Sequence, residues 1–262
     1  MLLAFDTGNT NTVIGLYDGD ELCGSWRFAT DPRRTVDEYG LFCFDLFNFH
    51  QYDFADVDSM IISSVVPDVT STLAAMGRQY FHVEPLVVEA GIKTGLPIRY
   101  ENPKEVGADR IVNAVAAIDR YGTPCIIVDF GTATTFCVVN EQGEYMGGAI
   151  TTGIGISMDA LFSHAAKLPK VDLKAPPSAI GRNTVNAMQS GLVYGYAGLV
   201  DAMIVRLCDE MGYDPDKTAV VATGGRSDMI CKHTSYVDKV DMKLTIHGLR
   251  ILADRNRSDA HD

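Results

Sequence analysis

Leu2-Leu3-Ala4-Phe5-Asp6-Thr7-Gly8-Asn9-Thr10-Asn11-Thr12 is an apolar run that ends in an acid, a glycine and several hydroxyl and amide side chains. A second apolar run, Cys125–Val128, is followed in a similar way by Asp129-Phe130-Gly131-Thr132-Ala133-Thr134-Thr135. We call Asp6–Thr12 the first cradle and Asp129–Thr135 the second cradle. Each pattern predicts a strand, a tight turn and a second strand, and such a turn can hold a metal-bound nucleotide phosphate. The repeat therefore predicts two like-folded halves that bind one nucleotide.

Composition and charge argue against several classes of protein. The chain has 262 residues, of which 47% are hydrophobic and 21% charged, as in an ordinary globular protein with a sizeable core. Its formal net charge is −12. A nucleic-acid partner would need a concentrated basic face, and an anionic membrane surface would repel an acidic protein. We therefore expect neither nucleic acid nor membrane as a partner.

The cysteines and the N-terminal sequence indicate a cytoplasmic protein. The six cysteines form no C-x-x-C pair and have no histidine cluster beside them, so zinc spacing is absent. Unpaired cysteines are typical of a reducing compartment. The N-terminus has no basic segment followed by a cleavage site, and no run of about 18 apolar residues indicates a membrane span.

The order of predicted elements is that of an α/β protein. Strands come first, then helices and strands alternate, and the second half repeats the opening three strands. Asn102-Pro103-Lys104-Glu105 has the N-cap, proline and glutamate of a helix start, which predicts one helix from there to about Tyr121. The break at Gly122-Thr123-Pro124 predicts domains 1–121 and 122–262. We expect the polar tail, 254–262, to fray.

The first cradle has more polar residues than a hairpin needs. Glycine lets the backbone approach a phosphate, whereas threonine and asparagine donate hydrogen bonds without adding charge. Asp6 can hold Mg²⁺ directly or through water. The alternative is a simple hairpin, for which Gly8-Asn9 is a common turn. Because a hairpin turn requires only two such residues, the longer polar stretch favours a binding site.

Three other segments contain residues that could act in binding or catalysis, but their patterns are less specific. An acid at the end of a buried strand is costly unless it is paired or bound to a cation, so Asp129 is a candidate cation ligand. Thr223-Gly224-Gly225 follows another buried run and is simply a turn unless adenosine lies against it. Asp109 could accept a proton from a substrate hydroxyl, and Arg110 offers a forked donor for a carboxylate or phosphate. The alternative is an acid favoured by a helix N-terminus beside an exposed arginine.

Several common catalytic motifs are missing from the sequence. There is no G-x-x-x-x-G-K-[ST] loop, no G-x-G-x-x-G after a strand, no G-x-S-x-G elbow and no H-E-x-x-H. The six histidines are scattered, and each is better explained as an ordinary surface or core histidine than as a ligand.

Motifs along the whole chain resemble those of type III pantothenate kinases, in the acetate and sugar kinase/Hsp70/actin superfamily. Besides the two cradles, the resemblance is carried by Ile61-Ile62-Ser63-Ser64-Val65-Val66-Pro67, Gly91-Ile92-Lys93-Thr94-Gly95-Leu96, Tyr100-Glu101-Asn102-Pro103, Gly107-Ala108-Asp109-Arg110-Ile111-Val112-Asn113, Gly147-Gly148-Ala149-Ile150, Gly181-Arg182-Asn183-Thr184 and Ala222-Thr223-Gly224-Gly225. The resemblance implies two ribonuclease-H-like, actin-like ATPase domains with an interdomain nucleotide cleft, and a homodimer. It also implies ATP-dependent phosphorylation of pantothenate, the first step of coenzyme A biosynthesis.

The resemblance also assigns residues by position. ATP would be bound by Asp6, Thr7, Gly8, Asn9, Thr10, Asn11, Thr12, Val13 and Thr132. Pantothenate would be bound by Tyr100, Gly107, Ala108, Asp109, Arg110 and Thr184, with Asp109 as the catalytic base. Asp6 would hold Mg²⁺, either directly or through water. Asp129 would bind the monovalent cation, K⁺ or NH₄⁺, that the family requires.

Two departures from the family pattern and two rival functions remain open at the level of sequence. Thr7 stands where the family more often has valine, and Met242-Lys243-Leu244-Thr245 replaces the more usual Pro-x-Leu-Thr. One rival is a catalytically idle binding protein that acts on a transcriptional or metabolic partner. The other is a kinase of the same superfamily for a different small molecule, because the cradles indicate ATP but not the acceptor.

Overall fold

The computed structural model describes residues 1–257 and contains two mixed five-stranded sheets. The chain forms two compact units. Unit 1 comprises Met1–Leu96, Asn102–Ala116 and the C-terminal segment from Leu244, and unit 2 comprises Pro97–Glu101 and Ala117–Lys243.

The sheet of unit 1 is built around β1. Its strands are β1 (Leu2–Thr7), β2 (Asn11–Asp18), β3 (Glu21–Ala29), β4 (Ser59–Ser64) and β5 (Leu86–Val87), in the order β3-β2-β1-β4-β5. The first three strands are antiparallel, whereas β4 and β5 run parallel to β1. β1 is apolar over four consecutive positions because both faces of a central strand are covered.

Helices cover both faces of this sheet. One core contains Leu3 and Phe5 of β1 together with residues of α1 (Val36–His50) and α2 (Pro67–Met76). Thr35 caps the N-terminus of α1: its hydroxyl accepts a hydrogen bond from the Glu38 backbone N–H, and the Glu38 carboxylate accepts one from the Thr35 backbone N–H.

On the other face, α8 (Leu244–Arg257) packs closely against the first half of α3 (Ala108–Tyr121). A Cβ at Gly248 would overlap the Val112 carbonyl, so glycine permits this close crossing. The Thr245 hydroxyl also donates a hydrogen bond of 2.7 Å to the buried Asn113 side chain. α8 is thus a part of unit 1 although it ends the chain.

Unit 2 repeats the topology of unit 1. Its strands are β6 (Cys125–Phe130), β7 (Ala133–Val139), β8 (Tyr145–Thr152), β9 (Ala219–Thr223) and β10 (Lys239–Val240), in the order β10-β9-β6-β7-β8. Its helices are α4 (Ile154–His164), α5 (Thr184–Ser190), α6 (Tyr196–Met211) and α7 (Ser227–Ile230). β6 occupies the place of β1, and both have the same sequence of buried and half-buried positions. The predicted α/β repeat is confirmed.

α5 and α6 are continuous through a π-helical turn at Gly191–Gly195. By length and composition alone, the resulting helix, Thr184–Met211, could cross a membrane. Its buried side chains pack instead in the core of unit 2, including Leu192, Val200 and Ile204. Because a core helix passes the same test of length and composition, we interpret this helix as the core helix of unit 2.

Two expectations about the chain differ from the structure, and a third is untested. Asn102 caps a short 3₁₀ turn, Pro103–Glu105, and α3 begins only at Ala108, because Val106 is extended and ends the turn. The expectation that the tail frays is wrong for residues 254–257, which continue α8, and residues 258–262 lie outside the described residues. The domains 1–121 and 122–262 stay a prediction; the compact units divide the chain differently because α8 packs with unit 1.

Candidate active site

The first cradle lies where β1 ends and β2 begins. Asp6 is half-buried, and Thr7, the last residue of β1, is buried with its hydroxyl oxygen unpaired. The Gly8 backbone N–H donates to the Asn11 carbonyl at 3.0 Å, which closes the turn. Asn9, Thr10 and Asn11 are exposed. The cradle therefore presents amide and hydroxyl groups to solvent beside one carboxylate.

The second cradle lies at the matching turn between β6 and β7. Asp129 is half-buried at the fifth position of its strand, as Asp6 is in β1. One Asp129 carboxylate oxygen lies against the backbone of the Thr223-Gly224-Gly225 turn, because a Cβ built on Gly224 would be 2.5 Å from it. Gly224 has a φ of +90°, so a side chain there is disfavoured by conformation as well as by space. The glycine turn and the acid thus form one site.

In each unit, a residue just after the third strand donates hydrogen bonds to the backbone of the cradle, and we call it the bracing residue. In unit 1, the Thr30 backbone N–H donates to the Thr10 carbonyl at 3.0 Å, and the Thr30 hydroxyl donates to the Gly8 carbonyl at 2.8 Å. In unit 2, the Gly153 backbone N–H donates to the Thr132 carbonyl at 3.1 Å. A Cβ at Gly153 would overlap that carbonyl oxygen. Neither bracing residue was among those predicted from the sequence, because strand pairing brings them to the cradles from distant positions.

Asp109 lies in the first turn of α3, in unit 1. One of its carboxylate oxygens accepts the Arg110 backbone N–H at 2.8 Å. The same oxygen lies close to Gly107, where a Cβ would approach it to 2.6 Å. Removal from water raises the pKa of the Asp109 carboxyl, an effect that the Arg110 N–H and the Arg110 charge only partly oppose. A carboxylate with a raised pKa is a better proton acceptor near neutral pH than an ordinary one.

The other predicted pantothenate residues are distributed over both units. Gly107 and Ala108 directly precede Asp109 in unit 1, and the Arg110 side chain is buried there. Tyr100 belongs to unit 2, where its ring contacts the backbone of Gly147 in β8. Thr184 is the exposed first residue of α5, also in unit 2. The structure thus brings Gly107–Arg110 together locally and places Tyr100 and Thr184 in unit 2.

The two cradle carboxylates have different neighbours as possible cation ligands. Within residues 1–257, no group of three or more His, Cys, Asp or Glu side chains is arranged to hold a metal ion. Mg²⁺ keeps several waters and is commonly held by one or two carboxylates together with substrate phosphates, which fits Asp6. Asp129 has hydroxyl residues in register on both neighbouring strands, Thr135 and Thr223. One carboxylate with two hydroxyl neighbours offers the oxygen ligands that hard cations prefer.

The architecture is that of the actin-like ATPases and sugar kinases. A crystal structure described as a Baf family transcriptional activator from Campylobacter jejuni matches 98% of this chain and 99% of its own at a TM-score of 0.61 and 17% identity. Component A of (R)-2-hydroxyglutaryl-CoA dehydratase from Acidaminococcus fermentans matches 100% and 99% of the two chains at a TM-score of 0.57 and 13% identity. At such identities these structures show the fold alone, which agrees with the expected class.

The family follows from sequence comparison. The family model for type III pantothenate kinase matches residues 2–206. Type III pantothenate kinases of Anaeromyxobacter sp. (strain Fw109-5) and Citrifermentans bemidjiense are 55% and 53% identical to this chain, over 98% of it and 100% of each relative. The chain belongs to the type III pantothenate kinase family. The resemblance, the enzyme class and the reaction expected from the motifs are thereby confirmed.

Proposed function

We propose that Asp109 and the two cradles carry out the ATP-dependent phosphorylation of pantothenate in coenzyme A biosynthesis. The observation that carries the catalytic assignment is the position of Asp109. It is a carboxylate removed from water at the start of a helix, beside a glycine that leaves room for it, and its pKa is raised. Asp109 accepts the proton of the pantothenate primary hydroxyl as that oxygen attacks the γ-phosphorus of ATP; the bond from the γ-phosphorus to the β–γ bridging oxygen breaks, and ADP leaves.

The first cradle binds the ATP phosphates in this proposal. Gly8 lets the backbone come close to the phosphates, and Asn9, Thr10 and Asn11 donate hydrogen bonds from exposed positions. Asp6 holds Mg²⁺, which supplies positive charge to the β- and γ-phosphates when it is bound. Phosphoryl transfer depends mainly on positioning and electrostatic stabilisation, so this chain's residues contribute orientation more than covalent chemistry.

The second cradle contributes a nucleotide contact and a monovalent cation site. Thr132 is exposed at the turn and is available to the nucleotide. Asp129 would hold K⁺ or NH₄⁺, and the bound cation would supply one positive charge near the phosphates. The close approach of Gly224 to one Asp129 carboxylate oxygen supports this role, since a Cβ at Gly224 would occupy the space beside that oxygen.

Pantothenate is bound by Tyr100, Gly107, Ala108, Arg110 and Thr184 in this proposal. The guanidinium of Arg110 is a planar, forked donor and suits the pantothenate carboxylate. Arg110 directly follows Asp109 in the chain, so the proposed carboxylate-binding group and the proposed base belong to one segment.

The chain functions as a homodimer in the cytoplasm in this proposal. α4 is mostly apolar but buries only Ile154, and it leaves Phe162 47% exposed. Ile180, also in unit 2, is 78% exposed. Large exposed apolar side chains mark interaction surfaces, which supports association with a second copy. All six cysteines are free thiols, as a reducing compartment allows.

The deciding experiment is a coupled assay of ADP release across possible acceptors. Purified protein is supplied with Mg²⁺-ATP and K⁺ and tested with pantothenate, simple sugars and acetate. We expect ADP release that depends on pantothenate alone. Release with a sugar or acetate but not with pantothenate would replace the acceptor, and no release with any acceptor would favour the idle binding protein. Sedimentation of Phe162→Asp beside the wild-type chain tests the dimer, because the charge should favour the monomer.

A further inference from the structure

Two unpaired hydroxyls lie at the carboxyl ends of β1 and β4. Within residues 1–257, the buried side-chain atoms without a hydrogen-bond partner are Thr7 Oγ1, Ser63 Oγ, Gln189 Oε1 and Arg250 Nε. Ser63 is only 1% exposed. A buried hydroxyl that lacks a hydrogen-bond partner costs on the order of 1–3 kcal/mol of folding free energy. Its presence at the end of a strand, beside a binding site, therefore requires an explanation.

The strand register places Ser63 beside Asp6. Asp6 pairs with Val13 of β2 on one side and with Ser63 of β4 on the other. Residues paired in this way lie on the same face of the sheet, on strands about 4.8 Å apart. Val13 is apolar, so Ser63 is the cross-strand neighbour of Asp6 that can donate a hydrogen bond. The Thr7 hydroxyl is on the opposite face, because successive side chains of a strand alternate.

Unit 2 has a hydroxyl at the matching position. Asp129 of β6 pairs with Thr223 of β9, which runs parallel to β6 as β4 runs parallel to β1. The residue on the other side differs, since Thr135 is polar and Val13 is apolar. Both halves therefore have a hydroxyl on the parallel strand next to the cradle carboxylate. The recurrence favours a role for this hydroxyl beyond filling space.

We propose that Ser63 is a positioning residue for Asp6 in the nucleotide-bound state. Its hydroxyl donates to the Asp6 carboxylate when Mg²⁺ and nucleotide are bound, and so fixes the orientation in which that carboxylate holds the ion. The inference rests on the proposed role of Asp6 in binding Mg²⁺-ATP. In the ligand-free protein the Ser63 hydroxyl has no hydrogen-bond partner, so replacing Ser63 by alanine breaks no hydrogen bond there.

The test compares Ser63→Ala with the matched control Ser59→Ala. Ser59 is in the same strand, on the same face as Ser63, and its hydroxyl donates to the Asp58 carboxylate at 2.8 Å. Thermal unfolding and calorimetric titration with ADP are measured with Mg²⁺ and with EDTA. We expect Ser63→Ala to unfold at the same or a higher temperature without ligand. We expect its dissociation constant for Mg²⁺-ADP to rise about tenfold, the value for loss of a hydrogen bond to a charged group, with metal-free ADP unaffected. Ser59→Ala should bind Mg²⁺-ADP like wild type.

A double-mutant cycle with Asp6→Asn identifies the residue through which Ser63 acts. In the Asp6→Asn background, Ser63→Ala should change Mg²⁺-ADP affinity little further, because the partner is already altered. Additive effects would overturn the inference, as would wild-type Mg²⁺-ADP affinity in Ser63→Ala or a loss of ligand-free stability. These outcomes differ from failure of the proposed function, in which the wild-type chain itself shows no Mg²⁺-dependent nucleotide binding.

Discussion

The first and second cradles have the same backbone frame but different surroundings. In both, the acid is the fifth residue of a central strand with the same burial along it, and a backbone N–H after the third strand donates to the residue before the second strand. The first cradle has one more residue in its turn and exposes amides and hydroxyls. The second is closely approached by Gly224. The repeated topology thus positions two carboxylates alike and gives them different neighbours.

The largest expected effect is that of replacing Asp109, an acid that belongs to neither cradle. Asp109→Asn keeps the shape of the side chain but removes the proton acceptor, so turnover should fall about 10²–10⁴-fold. Steady-state ADP release measures it, with circular dichroism to verify folding. Asp119→Asn is the control, because it makes the same charge change at an exposed position of the same helix. Turnover near the wild-type value in Asp109→Asn would remove Asp109 from the role of base.

The next test separates the two cradle carboxylates. Asp6→Asn and Asp129→Asn should each lower turnover, on the order of 100-fold, because each removes electrostatic stabilisation near the phosphates. Asp6→Asn should weaken activation by Mg²⁺ while dependence on K⁺ remains. Asp129→Asn should abolish the difference in rate between K⁺ and Na⁺ buffers. If both variants lose their dependence on the same cation, the assignment of different cations to Asp6 and Asp129 is wrong.

The sequence predicted the cradles because the information there is local. An acid and glycine after an apolar run specify a strand end and a turn, and Asp6 and Asp129 are in those positions. The helix start at Asn102 was wrong because the same local signals can cap a 3₁₀ turn. Ser63, Thr30 and Gly153 could not be assigned, since only strand register brings them to the cradles. The place of α8 in unit 1 likewise depends on packing between distant segments.

The two bracing residues offer a smaller, structural test. Gly153→Ala should cost about 1–3 kcal/mol of unfolding free energy, because its Cβ would overlap the Thr132 carbonyl. Thr30→Ala should cost about 1 kcal/mol or somewhat more, since it loses the hydrogen bonds of its hydroxyl to Gly8 and Thr12. Urea denaturation measures both. Gly155→Ala is the control, because a Cβ there meets open space in α4 and should be neutral or stabilising.

The pH dependence of stability offers a further test of Asp109. Desolvation raises the pKa of Asp109 above the unfolded value, so the charged form opposes folding at neutral pH. Stability from this group is present below the ordinary carboxyl pKa and is lost as pH rises through the raised pKa. Asp109→Asn should therefore be more stable than wild type at pH 7, and the gain should disappear in acid. Unfolding curves measured across this pH range test the prediction, and a difference in stability that does not change with pH would contradict it.

The smallest expected effect is that of Thr7→Val, which makes the buried end of the first cradle's strand apolar, as it is in the second cradle. Thr7 ends β1 and Phe130 ends β6, and both are buried, but only Thr7 brings a hydroxyl, which has no partner. Thr7→Val is nearly isosteric and removes that unpaired group, so the chain should become more stable by about 1 kcal/mol. Urea denaturation without ligand measures the change. A loss of stability would mean that the Thr7 hydroxyl is hydrogen-bonded in solution. The first cradle would then require a polar residue at the end of its strand, unlike the second.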